Sequence, residues 1–251
     1  MNEIKRLLSY VRRAADDYEM IQDGDVIAVG ISGGKDSLAL LRALADLRRF
    51  YPRPFTLKAI TVDMGLPGMD YSAVRIYCEQ LGVEYITVPT EISRIIFDVR
   101  KEPNPCSLCA KMRRGALHKA AKAAGCNKVA LGHHFDDVIE TFMLNLFFEG
   151  RIGTFSPVTY LSRTDITVIR PLIYMPEKEV LYLSNKESLP VVSVKCPADG
   201  NTEREEIKKL LRELDRQHKG LRYRIMGAIQ KGEVDGFKEI PGTVRRNIEE
   251  E

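Results

Sequence analysis

The stretch that decides the fold runs from residue 25 to residue 37 and reads DVIAVGISGGKDS. Its first half, Val26–Val29, is a short apolar run typical of a strand that is buried on both faces of a sheet. Gly33 and Gly34 follow as turn residues, and an apolar pattern with helical spacing begins after Lys35. A strand, a glycine turn and a helix in this order indicate the first unit of a doubly wound α/β fold.

The rest of the chain continues this alternation of strands and helices, which predicts a mainly parallel sheet with helices on both faces. Such a sheet binds ligands beyond the carboxyl ends of its strands. The predicted strands are Phe55–Val62, Val83–Val88, Lys128–Leu131, Thr167–Ile169 and Val191–Val194, and the predicted helices are 3–19, Tyr71–Leu81, Leu108–Ala124, Asp137–Phe148 and one that Pro176 opens.

We divide the chain into four segments by composition. An N-terminal helix occupies 1–24, the α/β domain 25–200, a basic helical segment 201–231, and a tail 232–251. The tail mixes glycine, proline and charged residues, so we expect it to be poorly ordered or loosely attached. The helical C-terminal segment would extend the α/β domain.

Composition excludes several classes of protein. The 251 residues are 44% hydrophobic and carry a net charge of +3, and the apolar stretches fall well short of the ~20 residues that a membrane span needs. The N-terminus lacks the apolar core of a signal peptide, so we expect a cytoplasmic protein without a membrane. Five cysteines, an odd number, argue against a disulfide framework.

The glycine turn has the chemistry of an anion cradle. Glycines allow the backbone to approach a ligand closely, and the free N–H groups at a helix start favour phosphate. Neither a Walker loop nor a dinucleotide fingerprint fits this spacing. The candidate nucleotide-binding residues here are Ser32, Gly33, Gly34, Lys35, Asp36 and Ser37.

Two further strand ends face the same predicted crevice. Residues 131–137 read LGHHFDD, and two histidines with two aspartates are dense for a helix cap alone. We therefore expect nucleotide contact, magnesium binding or proton handling there, with a simple cap as the alternative. The candidates are Gly132, His133, Asp136 and Asp137, together with Val62 and Asp63 at the end of the second strand.

The cysteine pair of residues 105–109, PCSLC, lies at or just before a helix start, which favours thiolates. Three interpretations remain open from the residues alone: a structural zinc site, a redox pair, or an iron–sulfur cluster that adds the distant Cys196. A closed zinc site needs a fourth ligand, and His118 lies too far along the helix. Cys78 and Cys126 fit small buried hydrophobes better.

The motifs together resemble a known family. SGGKDS resembles the PP-loop of the ATP-pyrophosphatase superfamily. PCSLC, the following RRG, LGHHFDD and Arg170-Pro-Leu172 resemble its tRNA 2-thiocytidine synthetase branch over about residues 1–230. The resemblance implies that ATP is cleaved between its α- and β-phosphates and that the C2 oxygen of a pyrimidine is adenylated. Cytosine is the expected base, with uracil as the alternative. Sulfur then replaces AMP.

The same resemblance implies the cofactors and partners. Cys106, Cys109 and Cys196 would hold a four-iron four-sulfur cluster with one open iron, and Asp36 would organise Mg²⁺ and the ATP phosphates. The expected partners are tRNA, a sulfur donor that is either sulfide or a cysteine desulfurase, and a second copy of the chain. The predicted strand Val191–Val194 would bring Cys196 to the ligand edge of the sheet.

Basic residues complete the sequence-based hypothesis. Asp36, Asp136, Asp137 and Arg113 are the catalytic candidates, and the RNA-binding candidates are Lys111, Arg113, Arg114, Lys208 and Arg212. A solvated helix face is the plain alternative for these basic residues. Two other functions compete with thiolation: another PP-loop ligase or amidotransferase with zinc in place of the cluster, and an RNA-binding or redox-sensing protein without catalysis.

Overall fold

The computed structural model describes residues 3–101, 105–192 and 203–240. Within these ranges, six strands form one sheet in the order β3-β2-β1-β4-β6-β5, and every neighbouring pair is parallel except β5 with β6. The predicted mainly parallel α/β fold is confirmed. The strands are β1 Asp25–Gly30, β2 Phe55–Asp63, β3 Glu84–Pro89, β4 Lys128–Ala130, β5 Val158–Leu161 and β6 Ile166–Ile169.

Helices connect the strands and cover both faces of the sheet. They are α1 Glu3–Asp17, α2 Lys35–Leu47, α3 Ser72–Gln80, α4 Ile92–Arg94, α5 Pro105–Ala123, α6 Phe135–Phe148, α7 Glu177–Lys186, α8 Glu203–Gln217 and α9 Leu221–Lys231. A π-helical stretch, Ile95–Val99, continues α4. No helix in the described ranges is long and apolar enough to cross a bilayer.

The sheet separates two apolar layers because side chains alternate along each strand. Ile27 and Val29 of β1 point into the larger layer, which α1, α2, α6, α7, α8 and α9 all enter. Ala28 points into the smaller layer, which Leu117 and Ala121 of α5 help to fill. The N-terminal helix and the basic C-terminal helices therefore share one core with the sheet.

The strand order places a switch point between β1 and β4. The chain runs from β1 outward to β2 and β3, then returns to β4 on the other side of β1. Ala130 of β4 pairs with Val29 of β1, so the loops that follow these two strands emerge side by side. This crevice is where an open α/β sheet binds its ligand.

The structure differs from the sequence-based expectations along the edges of the sheet. Strand β5 was not predicted; it forms an antiparallel hairpin with β6 through a turn in which Asp165 has a positive φ of 50°. The stretch 90–101, for which the sequence analysis gives no helix, contains α4 and the π-helical turn. The buried Ile92 and Ile96 fold this stretch into the smaller apolar layer.

The expected strand Val191–Val194 does not form over its described part. The Val192 N–H bonds to the carbonyl of Gly33 at 2.9 Å, in the phosphate loop and not in a strand ladder. Residues 193 and 194, like Cys196, lie outside the described residues. The expected loose tail is also wrong for 232–240, because Phe237 is buried and packs edge-on against Tyr18. Residues 241–251 lie outside the description.

Candidate functional site

The phosphate loop joins β1 to α2 in a turn that only glycine adopts without strain. Gly33 has a φ of +86°, and a Cβ there would lie 3.1 Å from Cβ of Val192. The loop hydroxyls hold its shape, since Ser37 Oγ donates to the carbonyl of Gly34 at 2.9 Å and Ser32 Oγ accepts from the Gly34 N–H at 3.3 Å. The turn is therefore preformed.

The start of α2 presents open backbone N–H groups to the crevice. Gly34 occupies the N-cap position with extended backbone angles and supplies no side chain to cap the helix. Uncapped N–H groups at the positive end of a helix macrodipole bind an anion. The turn and the helix start thus have the geometry expected of a cradle for phosphate.

The loop after β4 packs directly onto this cradle. A Cβ at Gly132 would lie 2.9 Å from the backbone carbonyl carbon of Asp36, so only glycine permits this approach. His134 is buried and caps α6: its Nδ1 accepts from the Asp137 N–H at 3.4 Å, while Asp137 Oδ2 accepts from the His134 N–H at 3.0 Å. This reciprocal cap fixes Asp137 relative to the phosphate loop.

Carboxylates from both loops converge on His134. Its Nε2 lies 3.7 Å from Asp36 Oδ1 and 3.6 Å from Asp137 Oδ2. Lys35 Nζ lies 2.9 Å from Asp36 Oδ1 and 3.1 Å from Glu177 Oε1. Burial alone would lower the pKa of Lys35, but these two carboxylates raise it above its ordinary value, which keeps the ammonium charged.

Arg204 of α8 pairs with the carboxylate of Asp137. Its Nη1 lies 2.9 Å from Asp137 Oδ1, and its Nη2 donates to Thr141 Oγ1 at 3.0 Å. Burial would raise the pKa of Asp137. The His134 side chain, the hydrogen bond from the His134 backbone N–H and the charge of Arg204 together lower this pKa below its ordinary value. Asp137 is thus an anion on the wall of the crevice, and Arg204 is a contact that the sequence analysis missed.

Two of the predicted site aspartates make structural contacts. Asp136 accepts from the N–H of Glu177 at 2.7 Å and pairs with Arg222, so it ties α6 to α7 and α9. It lines a separate cavity of about 170 Å³. Asp63 accepts from the N–H of Gly65 at 3.0 Å and closes the turn after β2. Both carboxylates thus have a structural role, and their proposed catalytic and nucleotide-binding roles stay predictions.

His133 forms part of the crevice wall beside these acids. Its ring stacks on Phe155 at 4.8 Å between centroids, and its Nδ1 is buried without a hydrogen-bond partner among the described residues. Burial, followed by the charge of Arg170, lowers the pKa of His133 to about 4. The imidazole is therefore neutral at physiological pH and offers a hydrogen bond without a charge.

Two adjoining cavities occupy the carboxyl edge of the sheet. The first, of about 400 Å³, is the nucleotide cavity: both glycine loops line it through Ser32, Asp36, Ser37, Gly132, His133 and Asp137. The second, of about 500 Å³, is the cysteine cavity, which Cys106 and Cys109 line. Four residues line both cavities, namely Ser32, Val62, Ala110 and Arg113.

Most of the side chains that line the cysteine cavity are apolar, and Arg113, Ser32 and Ser93 line it beside the two thiols. Cys106 is exposed, Cys109 is half-buried with its Sγ 3.5 Å from Met64 Sδ, and neither forms a disulfide. Among the described residues, no three side chains of cysteine, histidine, aspartate or glutamate come together as metal ligands. Most of the cavity wall was missed from the sequence, because apolar residues carry no motif: Met64, Leu66, Tyr71, Ile92, Ile96, Phe97 and Val192.

The predicted basic residues separate into two places. Arg113 and Arg114 of α5 line the nucleotide cavity, and Arg113 also lines the cysteine cavity, whereas Lys111 points to solvent. Lys208 lies near the buried Glu140 and Arg212 is exposed, both on α8, which packs on α6. The structure thus places the α5 arginines in the cavity walls, whereas Lys208 and Arg212 line neither cavity.

The fold and the two loops define a class of ATP-binding protein. Residues 7–214 match the family model described as the PP-loop domain. The chain also resembles, at 26% identity and a TM-score of 0.78, the structure of the U34-tRNA thiolase NcsA from Methanococcus maripaludis with its [4Fe-4S] cluster. That match covers 98% of this chain and 88% of the other.

Curated relatives narrow the class. The chain is 39% identical over 228 residues to a tRNA-cytidine(32) 2-sulfurtransferase of Geobacter sulfurreducens, covering 90% of this chain and 89% of the relative. It is 42% identical over 228 residues to the protein of the same name from Pelobacter propionicus, covering 90% and 85%. The chain belongs to the PP-loop family and, within it, to the tRNA 2-thiocytidine synthetase branch, which confirms the resemblance seen in its motifs.

Proposed function

We propose that this protein is an ATP-dependent tRNA sulfurtransferase that replaces the C2 oxygen of a cytosine with sulfur. The observation that carries the proposal is the wall shared by the nucleotide cavity and the cysteine cavity. Ser32, Val62, Ala110 and Arg113 line both. A tRNA base bound at this shared wall would therefore lie between the α-phosphate of ATP in the nucleotide cavity and the thiols of the cysteine cavity.

The chemistry divides into two displacements at neighbouring atoms. The C2 oxygen of the base attacks the α-phosphorus of ATP, and pyrophosphate leaves. Hydrosulfide then adds at C2 and gives up its proton, and the C–O bond breaks so that AMP leaves with the original oxygen. Holding the reacting groups side by side replaces a diffusional encounter with an intramolecular one, which is the largest advantage this geometry offers.

Residues of the nucleotide cavity perform the first displacement. The open N–H groups at the start of α2 and the charged Lys35 bind the phosphates. The carboxylates of Asp36 and Asp137 lie near one another around His134 and suit Mg²⁺, which prefers oxygen ligands. Arg113, which forms no ion pair among the described residues, stabilises the adenylate phosphate between the two cavities.

The donor set of the cysteine cavity fits an iron–sulfur cluster. Cys106 and Cys109 lie one turn apart at the start of α5 and line the same cavity. Cys196, the third proposed ligand, follows four residues after Val192, which also lines that cavity. Four residues span at most about 14 Å. When bound, the cluster would supply an open iron that carries the sulfur.

The partners of the reaction follow from the same proposal. We infer that the sulfur reaches the protein as sulfide or from a cysteine desulfurase, that the protein acts in the cytoplasm, and that it works as a homodimer. Arg113 and Arg114 beside the cavities, with the exposed Lys111, are the proposed tRNA contacts near the reacting base. Lys208 and Arg212 of α8 are proposed as a more remote contact with the tRNA backbone.

Mass spectrometry of tRNA nucleosides tests the proposal. A strain that lacks the gene should lose one thiolated nucleoside, and its mass and fragmentation identify the base as cytidine or uridine. Expression of the wild-type chain should restore the nucleoside. Expression of a Cys109→Ser chain should not, whereas a Cys78→Ser chain should, because Cys78 is buried in the core.

The possible outcomes separate the competing functions. An unchanged set of thiolated nucleosides in the deletion strain contradicts tRNA thiolation. If the purified protein is colourless, contains one zinc ion and keeps its ATP-dependent activity in air, the result supports another PP-loop ligase or amidotransferase. A protein with a cluster but no ATP-dependent formation of AMP supports a binding or redox-sensing role.

A further inference from the structure

The arginine of the Arg170-Pro-Leu172 motif occupies an unusual position behind the nucleotide cavity. It follows β6 directly and is half-buried. Its Nη1 donates to the carbonyl of Ser156 at 2.6 Å, and its guanidinium lies 5.1 Å from the ring centroid of Phe155. Its Nε is buried without a partner, and its Nη2 donates no hydrogen bond to any described residue.

No carboxylate among the described residues compensates this charge. Burial, followed by the nearby Arg114 of α5, lowers the pKa of Arg170 to about 10. His118, one turn after Arg114, has a buried Nε2 without a partner. Burial and the two arginines lower the pKa of His118 as well. Among the described residues, no acid contributes to the pKa shift of Arg170 or of His118.

A protein rarely buries a charge without a partner, because desolvation costs several kcal/mol. The unpaired Nε of Arg170 and the unpaired Nε2 of His118, both close to the exposed Arg114, therefore indicate an anion that arrives from outside the chain. The position supports this, since Arg114 lines the nucleotide cavity and Arg170 lies at the carboxyl end of β6, beside β4. Guanidinium groups suit phosphate through paired hydrogen bonds.

We propose that Arg170, Arg114 and His118 form a phosphate-binding subsite beside the nucleotide cavity. The ligand is a phosphate group, which is either the α-phosphate end of the nucleotide or a phosphodiester of the tRNA next to the reacting base. The subsite rests on the proposed function, since that function brings both phosphates to this edge. It adds a phosphate contact next to Arg114, which lines that cavity.

Two binding measurements on the full chain test the subsite and identify the source of the phosphate. The first is calorimetric titration with α,β-methylene-ATP and Mg²⁺. The second is fluorescence anisotropy with an unmodified tRNA transcript over a range of salt concentrations. The variants are Arg170→Met and Arg114→Ala, with Arg163→Met as a matched control because Arg163 is an exposed arginine in the β5–β6 turn.

Loss of the subsite should weaken one of the two ligands about tenfold, which corresponds to about 1.4 kcal/mol. Weaker binding of the ATP analogue alone identifies the nucleotide phosphate. Weaker tRNA binding, with a salt slope reduced by about 0.7 to 0.9 per lost contact, identifies an RNA phosphodiester. Arg163→Met should bind both ligands as the wild type does.

The proposal is overturned if the wild type binds both ligands and Arg114→Ala and Arg170→Met bind them equally well. Arg114 is exposed, so its variant decides the matter even if Arg170→Met fails to fold. Failure of the proposed function has a different signature. In that case the wild-type chain restores no thiolated nucleoside, whatever the variants bind.

Discussion

The N–H of Val192 donates a 2.9 Å hydrogen bond to the carbonyl of Gly33, so the segment that leaves α7 is attached to the phosphate loop. Val192 also lines the cysteine cavity. One contact therefore joins the cradle for phosphate to the wall of the cavity that holds the thiols. It also explains why position 33 requires glycine. The backbone of Gly33 is in the left-handed region, and a side chain there would meet Val192.

Gly33→Ala should disrupt the phosphate loop. The positive φ of 86° costs an alanine about 1–2 kcal/mol, and the new Cβ would lie 3.1 Å from Cβ of Val192. We expect a lower thermal midpoint and a large loss of ATP-analogue affinity by calorimetry. Gly34→Ala is the matched control for stability, since Gly34 has a φ of −78° and a Cβ there would meet only Ser32 Oγ at 3.5 Å. Equal midpoints for the two variants would contradict this account.

Asp36→Asn should reduce ATP-dependent AMP formation by at least tenfold while the fold remains intact. The substitution keeps the shape of the side chain but removes the charge that pairs with Lys35 and faces His134. A charge-assisted contact is worth about 1.5–3 kcal/mol. Asp46→Asn, on the same helix and paired with Arg42, is the control that should retain activity. Full activity of Asp36→Asn would remove Asp36 from the site.

The sequence predicted the parts of this site that have a local signature. Gly33 and Gly132 each mark a place where the backbone must turn or approach closely, and the apolar run before each is short enough to identify a strand. Parallel strands end at one edge of a sheet, which brought the two loops together correctly. The fold and the family could therefore be predicted from a few residues of the sequence.

Residues that act across long sequence distances were not predictable in this way. Arg204 meets Asp137 only because α8 packs back on α6, and Arg222 reaches Asp136 from α9 for the same reason. A single sequence shows two aspartates side by side after His134 and gives no sign that one faces the crevice and the other faces α7. Tertiary packing decides this, and only the structure reveals it.

The cysteine pair yields a spectroscopic prediction. Cys106→Ser and Cys109→Ser should each abolish the brown colour of protein that is purified without oxygen, and thiolation with it. ATP-analogue binding should persist, because the nucleotide cavity keeps its walls. Cys126→Ser should leave the colour unchanged, since Cys126 lies in the apolar layer beneath α5. Iron bound as tightly by the Cys106→Ser and Cys109→Ser chains as by the wild type would refute the proposed ligand set.

Glu140 gives the protein a pH dependence of stability. It is 1% exposed on α6, and its Oε2 has no hydrogen-bond partner among the described residues, with Arg204 Nη1 at 3.6 Å. Burial raises the pKa of Glu140 from 4.5 to about 7, despite the nearby positive charge of Lys208. Between these two pH values the unfolded chain releases this proton and the folded chain keeps it. The contribution of Glu140 to the free energy of unfolding is therefore fully present below about pH 4.5 and is lost as the pH rises to about 7.

Glu140→Gln should remove this loss, because the amide has the shape of the protonated acid and never ionises. Relative to the wild type, the variant should gain on the order of 1–3 kcal/mol in free energy of unfolding between pH 5 and pH 8. Urea unfolding at both pH values measures the change. Glu205→Gln, at an exposed position of α8, should show the same pH dependence as the wild type. If Glu140→Gln and the wild type lose stability in parallel over this range, Glu140 is already ionised in the folded protein, held by Arg204 and Lys208.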